Sequence, residues 1–211
     1  FAAGFWGKRR TLGVALAMAA AGLWLGTFAP GYGPVLLAMA AIGFGEGFIE
    51  GLATPLVQDL HPHDSGRHLN LAHSCWPIGV LVTVLATGAT LARGGSWRLA
   101  MAAVAMLTLL PTSLLLLPDG RNKPCPEHPE PLPWTTVRDH ALTILRLPRF
   151  WRFFCAMFMA GGGEFCLTFW AASHIQLRFG ATAWAGGIGT ACFAAGMALS
   201  RIGCAWLVPQ H

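Results

Sequence analysis

Residues 34–60 read PVLLAMAAIGFGEGFIEGLATPLVQDL, a run apolar and long enough to cross a bilayer that still carries two carboxylates, Glu46 and Glu50, near its middle. A charged side chain at the centre of a membrane helix costs roughly 2.5–3.5 kcal/mol on insertion scales, so a chain that keeps two of them has a use for them. At the helical period Glu46, Glu50, Thr54 and Gln58 fall one above another, a polar stripe unsuited to lipid. Gly43, Gly47 and Gly51 form a second stripe, turned by about 100°, where a neighbouring helix is expected to approach closely. One face is predicted to be wet and another tightly packed.

The same character extends through the chain. Of its 211 residues 55% are hydrophobic and 11% charged, where a soluble domain carries about 25% charged residues. The reading is an all-α polytopic membrane protein, multi-pass and integral to the lipid bilayer. The net charge is +5, but the basic residues sit in short loops between apolar runs, a topological pattern and not a nucleic-acid footprint. Phe1 stands in mid-pattern and His211 follows closely on a span, so the chain is expected to be a fragment whose structural partner is the missing remainder of the same chain. The six cysteines, Cys75, Cys125, Cys155, Cys166, Cys192 and Cys204, form no CxxC pair, and most lie in or beside apolar runs as small hydrophobes. His61, His63 and His68, in the loop HPHDSGRH, read as solvated turn residues. No metal and no cofactor is expected.

Working outward, Lys8, Arg9 and Arg10 stand before an apolar run, Thr11 to Ala29, and the turn Pro30-Gly31-Tyr32-Gly33 joins that run antiparallel to the central segment. After Leu60 a polar loop leads into LNLAHSCWPIGVLVTVLATGATLA, which has a polar start at Asn70, His73 and Ser74 and a kink expected at Pro77. Leu99 to Leu117 crosses back. From Pro118 the composition changes: five prolines between Pro124 and Pro133 suit an extended linker, and Trp134 to Leu147 is amphipathic. That helix suits either the membrane surface or packing on the protein itself. Phe150 to Leu177 holds Gly161-Gly162-Gly163-Glu164, where three glycines are expected to loosen the helix beside an acid. Ala181 to Leu207, with Arg201 near its far end, is the last span.

Charge sets an orientation. With Lys8 to Arg10 on the cytoplasmic side, strict alternation places Arg67 and the linker there too, giving ten basic residues inside against three outside, Arg93, Arg98 and Arg178.

The order of basic loop, glycine-rich span with an acid, proline-rich inner loop and a further span with an acid resembles the major facilitator superfamily. The resemblance implies six full transmembrane helices of a twelve-helix fold, from about the end of span 2 through span 8. Residues 1–117 would belong to the N-terminal lobe, 118–148 to a cytoplasmic linker, and 149–211 to the start of the C-terminal lobe. Within it, GFGEGFIEGLATPLVQDL and LNLAHSCWPIG are similar to the fucose, glucose and galactose group of sugar–proton symporters, with Glu50 on the family glutamate. GGGEFCLTFWAASHIQLRFG looks like the seventh span of bacterial members and of relatives of sodium-dependent glucose transporters, with Glu164 and Trp170 in register. Three departures stand out: Thr54-Pro55 replaces Asn-Pro, Glu46 is an extra acid, and Gly4-Phe5 occupies the place of an Asp-Arg pair.

What the resemblance implies is a secondary transporter, not an enzyme: cation-coupled uptake of a small polar solute such as a sugar, in a bacterial inner (plasma) membrane. The coupling ion would be a proton or sodium, with Glu50 and Glu164 the carboxylates to carry it; Glu46, without a counterpart in that group, is a further candidate as an intramembrane acid. Asn70, His73, Trp76, Trp170 and Gln176 are the residues expected to bind solute, while Lys8, Arg9, Arg10 and Arg201 are expected to gate. Trp97, Trp151 and Trp206 suit headgroup-level anchors. Two other functions fit the same cavity: efflux of an amphipathic compound, and a transport-dead sensor or assembly subunit. An intramembrane hydrolase is disfavoured, because neither Gly-x-Ser-x-Gly nor His-Glu-x-x-His occurs.

Overall fold

The computed structural model describes residues 7–117 and 133–208. Among them the chain forms seven α-helices and no strand: α1 (Lys8–Phe28), α2 (Tyr32–Leu60), α3 (Ser65–Ala92), α4 (Trp97–Leu116), α5 (Trp134–Leu145), α6 (Pro148–Phe179) and α7 (Ala183–Leu207). All but α5 are long and apolar enough to cross a membrane, so the six apolar runs correspond to six helices. The proline-rich stretch 118–132 with Cys125, and the first residues with Gly4-Phe5, lie outside the described residues.

Helix starts differ from the apolar boundaries in an informative way. α1 begins at Lys8 and α3 at Ser65, so Lys8 to Arg10 form a helical first turn instead of a preceding loop. A backbone entering lipid must satisfy its own polar groups, which favours extending helices beyond the hydrocarbon. Three cations at a helix N-terminus oppose the helix dipole, and two of them find compensation elsewhere. Lys8 pairs with Asp59 at the end of α2, and Arg9 Nη2 donates to the Leu114 and Leu117 carbonyls at the end of α4, at 2.8 and 3.1 Å.

α1 packs against both α2 and α4. Its buried face is nearly all small: Thr11, Leu12, Ala15, Ala19, Ala20, Gly22 and Gly26. Lipid tails are as apolar as leucine, so helices in a bilayer associate by close packing, which small residues permit. A Cβ on Gly22 would sit 2.8 Å from Ile42 Cγ1, and one on Gly45 would sit 2.6 Å from the Ala15 carbonyl oxygen. Gly45 is thus the glycine where α2 meets α1. The stripe Gly43, Gly47, Gly51 faces no described helix: a Cβ at any of the three meets nothing within 4 Å, and together with Phe44, Phe48 and Leu52 they line an open groove of about 430 Å³. The expectation of close approach therefore shifts to another face, because Ala15 and Ala19 of α1 supply their small surface opposite Gly45. Gly45→Val is expected to lower the unfolding temperature of the purified protein, as overpacking against backbone costs about 1–3 kcal/mol. Gly47→Ala should leave that temperature essentially unchanged.

α3 follows a different course. It packs along α7, while its contacts with α2 and α4, its neighbours in sequence, are sparse. A Cβ on Gly187 would lie 3.0 Å from the Val84 carbonyl oxygen, and one on Gly88 would lie 3.1 Å from that of Ala183. α7 also packs on α6, where a Cβ on Gly186 would sit 2.7 Å from the Ala172 carbonyl oxygen. The α6–α7 turn closes through Gly180 at φ 63°, in the left-handed region, and the Thr182 hydroxyl accepts from the Ala185 amide at 3.3 Å to cap α7.

Candidate functional site

Two prolines bring polar groups to the α2–α3 junction. Proline has no amide hydrogen, so Pro55 leaves the Gly51 carbonyl, and Pro77 leaves the His73 carbonyl, without its usual intrahelical donor. Both helices run through their prolines without a break. Across the junction Thr54 Oγ1 and His73 Nε2 lie 3.2 Å apart, a hydrogen bond between half-buried side chains. One turn before Thr54 stands Glu50, and one turn before that Glu46. Both carboxylates are exposed on the helix surface, and neither makes an ion pair or hydrogen bond among the described residues.

The third acid is differently placed. Glu164 Oε2 lies 3.5 Å from Arg201 Nη2, with side chains 27% and 30% exposed. An arginine inside a span is expected to pair with an acid or with backbone carbonyls. The acid is on α6, the helix that precedes and packs on α7. α6 remains helical through Gly161, Gly162 and Gly163, contrary to the expected loosening. An unbroken ladder of backbone hydrogen bonds is the favoured solution in lipid.

The residues expected to bind solute are divided between these regions. His73 joins the Thr54 junction, and the buried Ser74 hydroxyl donates to the Leu71 carbonyl at 2.7 Å. Asn70 Nδ2 and Gln176 Nε2 donate within their own helices, to Gly66 at 3.0 Å and Ala172 at 3.2 Å. Trp76 of α3 meets Phe165 of α6 edge to face at 6.1 Å, next to Glu164. Trp170 is 68% exposed on α6.

Among the basic residues, the Lys8 and Arg9 bonds join α1 to helices it already packs against, and Arg10 is exposed. Three contacts were not foreseen. The Arg67 guanidinium at the start of α3 stacks 3.7 Å over Trp206 near the end of α7. Arg98 Nη2 holds the Ala29 carbonyl at 2.7 Å, tying α4 to the α1–α2 turn. The His61 and His68 rings stack at 3.6 Å, and His68 Nδ1 lies 2.9 Å from the Asp64 carbonyl oxygen. No local sequence signal marks the Arg67–Trp206 and Arg98–Ala29 pairs, which are far apart in the chain, whereas His61 and His68 share one loop. Among the described residues no group of three or more His, Cys, Asp or Glu side chains is placed to hold a metal ion.

Searches of curated proteins and of solved structures find no match to the chain. A family model described as Major Facilitator Superfamily matches residues 1–211, the whole of the sequence. With six apolar spans in an all-helical fold, intramembrane acids and that match, the chain belongs to the Major Facilitator Superfamily, a family of multi-pass secondary transporters of small solutes.

Proposed function

We propose that the chain takes part in proton-coupled uptake of a small polar solute, a sugar being the best fit, by alternating access, with Glu50 as the proton-carrying group. The observation that carries this reading is that Glu164 is charge-paired with Arg201, whereas Glu46 and Glu50 have no countercharge among the described residues, and of these two it is Glu50 that stands one turn from the Thr54–His73 bond. Moving an uncompensated carboxylate through an apolar layer is costly, and a proton removes that cost. In a coupled cycle the site crosses with proton and solute bound together, releases both on the inside and returns empty; crossing with solute alone or with the proton alone is what coupling excludes. We assign sugar binding to His73, Asn70, Trp76, Trp170 and Gln176, whose amide, imidazole and aromatic groups suit a sugar although they are divided between the two regions, and gating to Arg201 through its bond to Glu164.

The test is transport by the complete protein in proteoliposomes. With the outside made acidic, labelled monosaccharides should accumulate within the vesicles, and a protonophore should abolish the accumulation. A sodium gradient alone should not replace the pH gradient. Accumulation of lipophilic cations driven in the opposite sense, with no sugar uptake, would assign the protein to efflux instead.

A further inference from the structure

α5 is built as a surface helix, and its surroundings indicate what it lies on. Val137, Ala141, Ile144 and Leu145 fall within one arc of about 100° at the helical period, with Asp139, Thr143 and Arg146 on the opposite side. No residue of α5 is buried, and Ile144 and Leu145 are 47% and 45% exposed. Among the described helices α5 touches only α6.

That contact sets its depth. Trp151 Nε1 in the first turn of α6 donates to the Leu145 carbonyl at 2.8 Å, bonding the end of α5 to the foot of a spanning helix. At about 1.5 Å per residue α6 is far longer than the roughly 30 Å hydrocarbon core, so its first turns lie at headgroup level, where tryptophan is favoured. Arg146, Arg149 and Arg152 recur every third residue around this elbow and are exposed, with Arg149 over the Phe153 ring at 5.8 Å. Arg138 is turned to its neighbour Asp139, at 3.0 Å, and adds no free charge.

We infer that α5 and the α5–α6 elbow form a docking surface for anionic phospholipid: the apolar arc lies in the headgroup boundary and Arg146, Arg149 and Arg152 bind lipid phosphates. Apolar burial and attraction to anionic headgroups act together in helices of this type, and neither alone gives a short helix firm hold. The alternative occupant, another part of the protein, would cover the apolar arc without needing the arginines.

Spin labels on the full-length protein, free of other reactive cysteines, at Ala141→Cys on the apolar arc and Thr143→Cys on the polar side, distinguish these cases. Vesicles of phosphatidylcholine alone are compared with vesicles containing phosphatidylglycerol. In the anionic vesicles the Ala141 label should relax with oxygen and be shielded from a water-soluble nickel chelate, with the reverse at Thr143. In phosphatidylcholine, and in Arg146→Gln/Arg149→Gln/Arg152→Gln in either lipid, the chelate should reach Ala141. The comparison of the two lipids uses unaltered arginines and does not depend on the triple variant folding. An Ala141 label shielded from oxygen and chelate alike in both lipids would mean that protein covers the arc, and identical oxygen exposure in both lipids would mean that the arginines do not recruit lipid; either result overturns the inference.

Discussion

Glu50→Gln in the complete protein is expected to abolish accumulation of solute against a gradient while leaving exchange of labelled for unlabelled solute intact. Glutamine imitates the protonated carboxyl permanently. Exchange never requires proton release, so vesicles preloaded with unlabelled solute should still take up label; net cycling requires release on the far side, so empty vesicles should gain little net solute however acidic the outside is made. Glu46→Gln, one turn away, should reduce accumulation much less, since it stands a further turn from the Thr54–His73 junction. Uptake assays with an imposed pH gradient, run beside equilibrium exchange on the same vesicles, read both quantities. Should Glu50→Gln accumulate solute normally while Glu46→Gln or Glu164→Gln does not, the proton belongs to another carboxylate.

Arg201→Gln should be the most destabilising of the conservative-sized changes in the spans. It leaves Glu164 in mid-span without its countercharge, and an unpaired charge at a helix centre costs up to roughly 2.5–3.5 kcal/mol. Both side chains are about one third exposed, so solvent screening brings the cost toward the lower part of that range or below it. Removing both charges removes the problem: Glu164→Gln/Arg201→Gln should recover a large part of the loss in unfolding temperature seen with Arg201→Gln alone. Additive effects in this cycle would show that the two groups are not coupled. Arg201→Lys retains the charge but loses the planar fork of donors, so thermal stability should largely persist while transport slows. Unchanged transport by Arg201→Lys would remove Arg201 from gating.

The helical spans and their number follow from the sequence because each is a continuous apolar run, and lipid leaves a backbone little choice but to form a helix. The intramembrane acids were legible for the same reason, since a carboxylate stands out against leucine, alanine and glycine. Even Arg201 could be expected to find a partner, because an arginine in a span needs one. What that partner would be was not legible. Glu164 lies on the preceding helix at a height set by the α6–α7 turn and by the Gly186 contact, and periodicity carries no information on such register.

The glycines show the limit most plainly. Gly43, Gly47 and Gly51 repeat at helical spacing and Gly45 does not, yet Gly45 is where α2 meets α1. A stripe records which residues share a face of one helix. Whether that face is occupied depends on the surface another helix presents, here Ala15 and Ala19, and on where the turns deliver it. In the same way Arg67 and Trp206 read separately as a loop charge and an interface anchor, and become one contact only because α3 lies along α7. The sequence by itself determined the membrane, the helices and the acids, since those depend on transfer free energies that each residue carries with it. The tertiary structure alone decided which acid is neutralised and which stands without a countercharge among the described residues, since that depends on distances between helices.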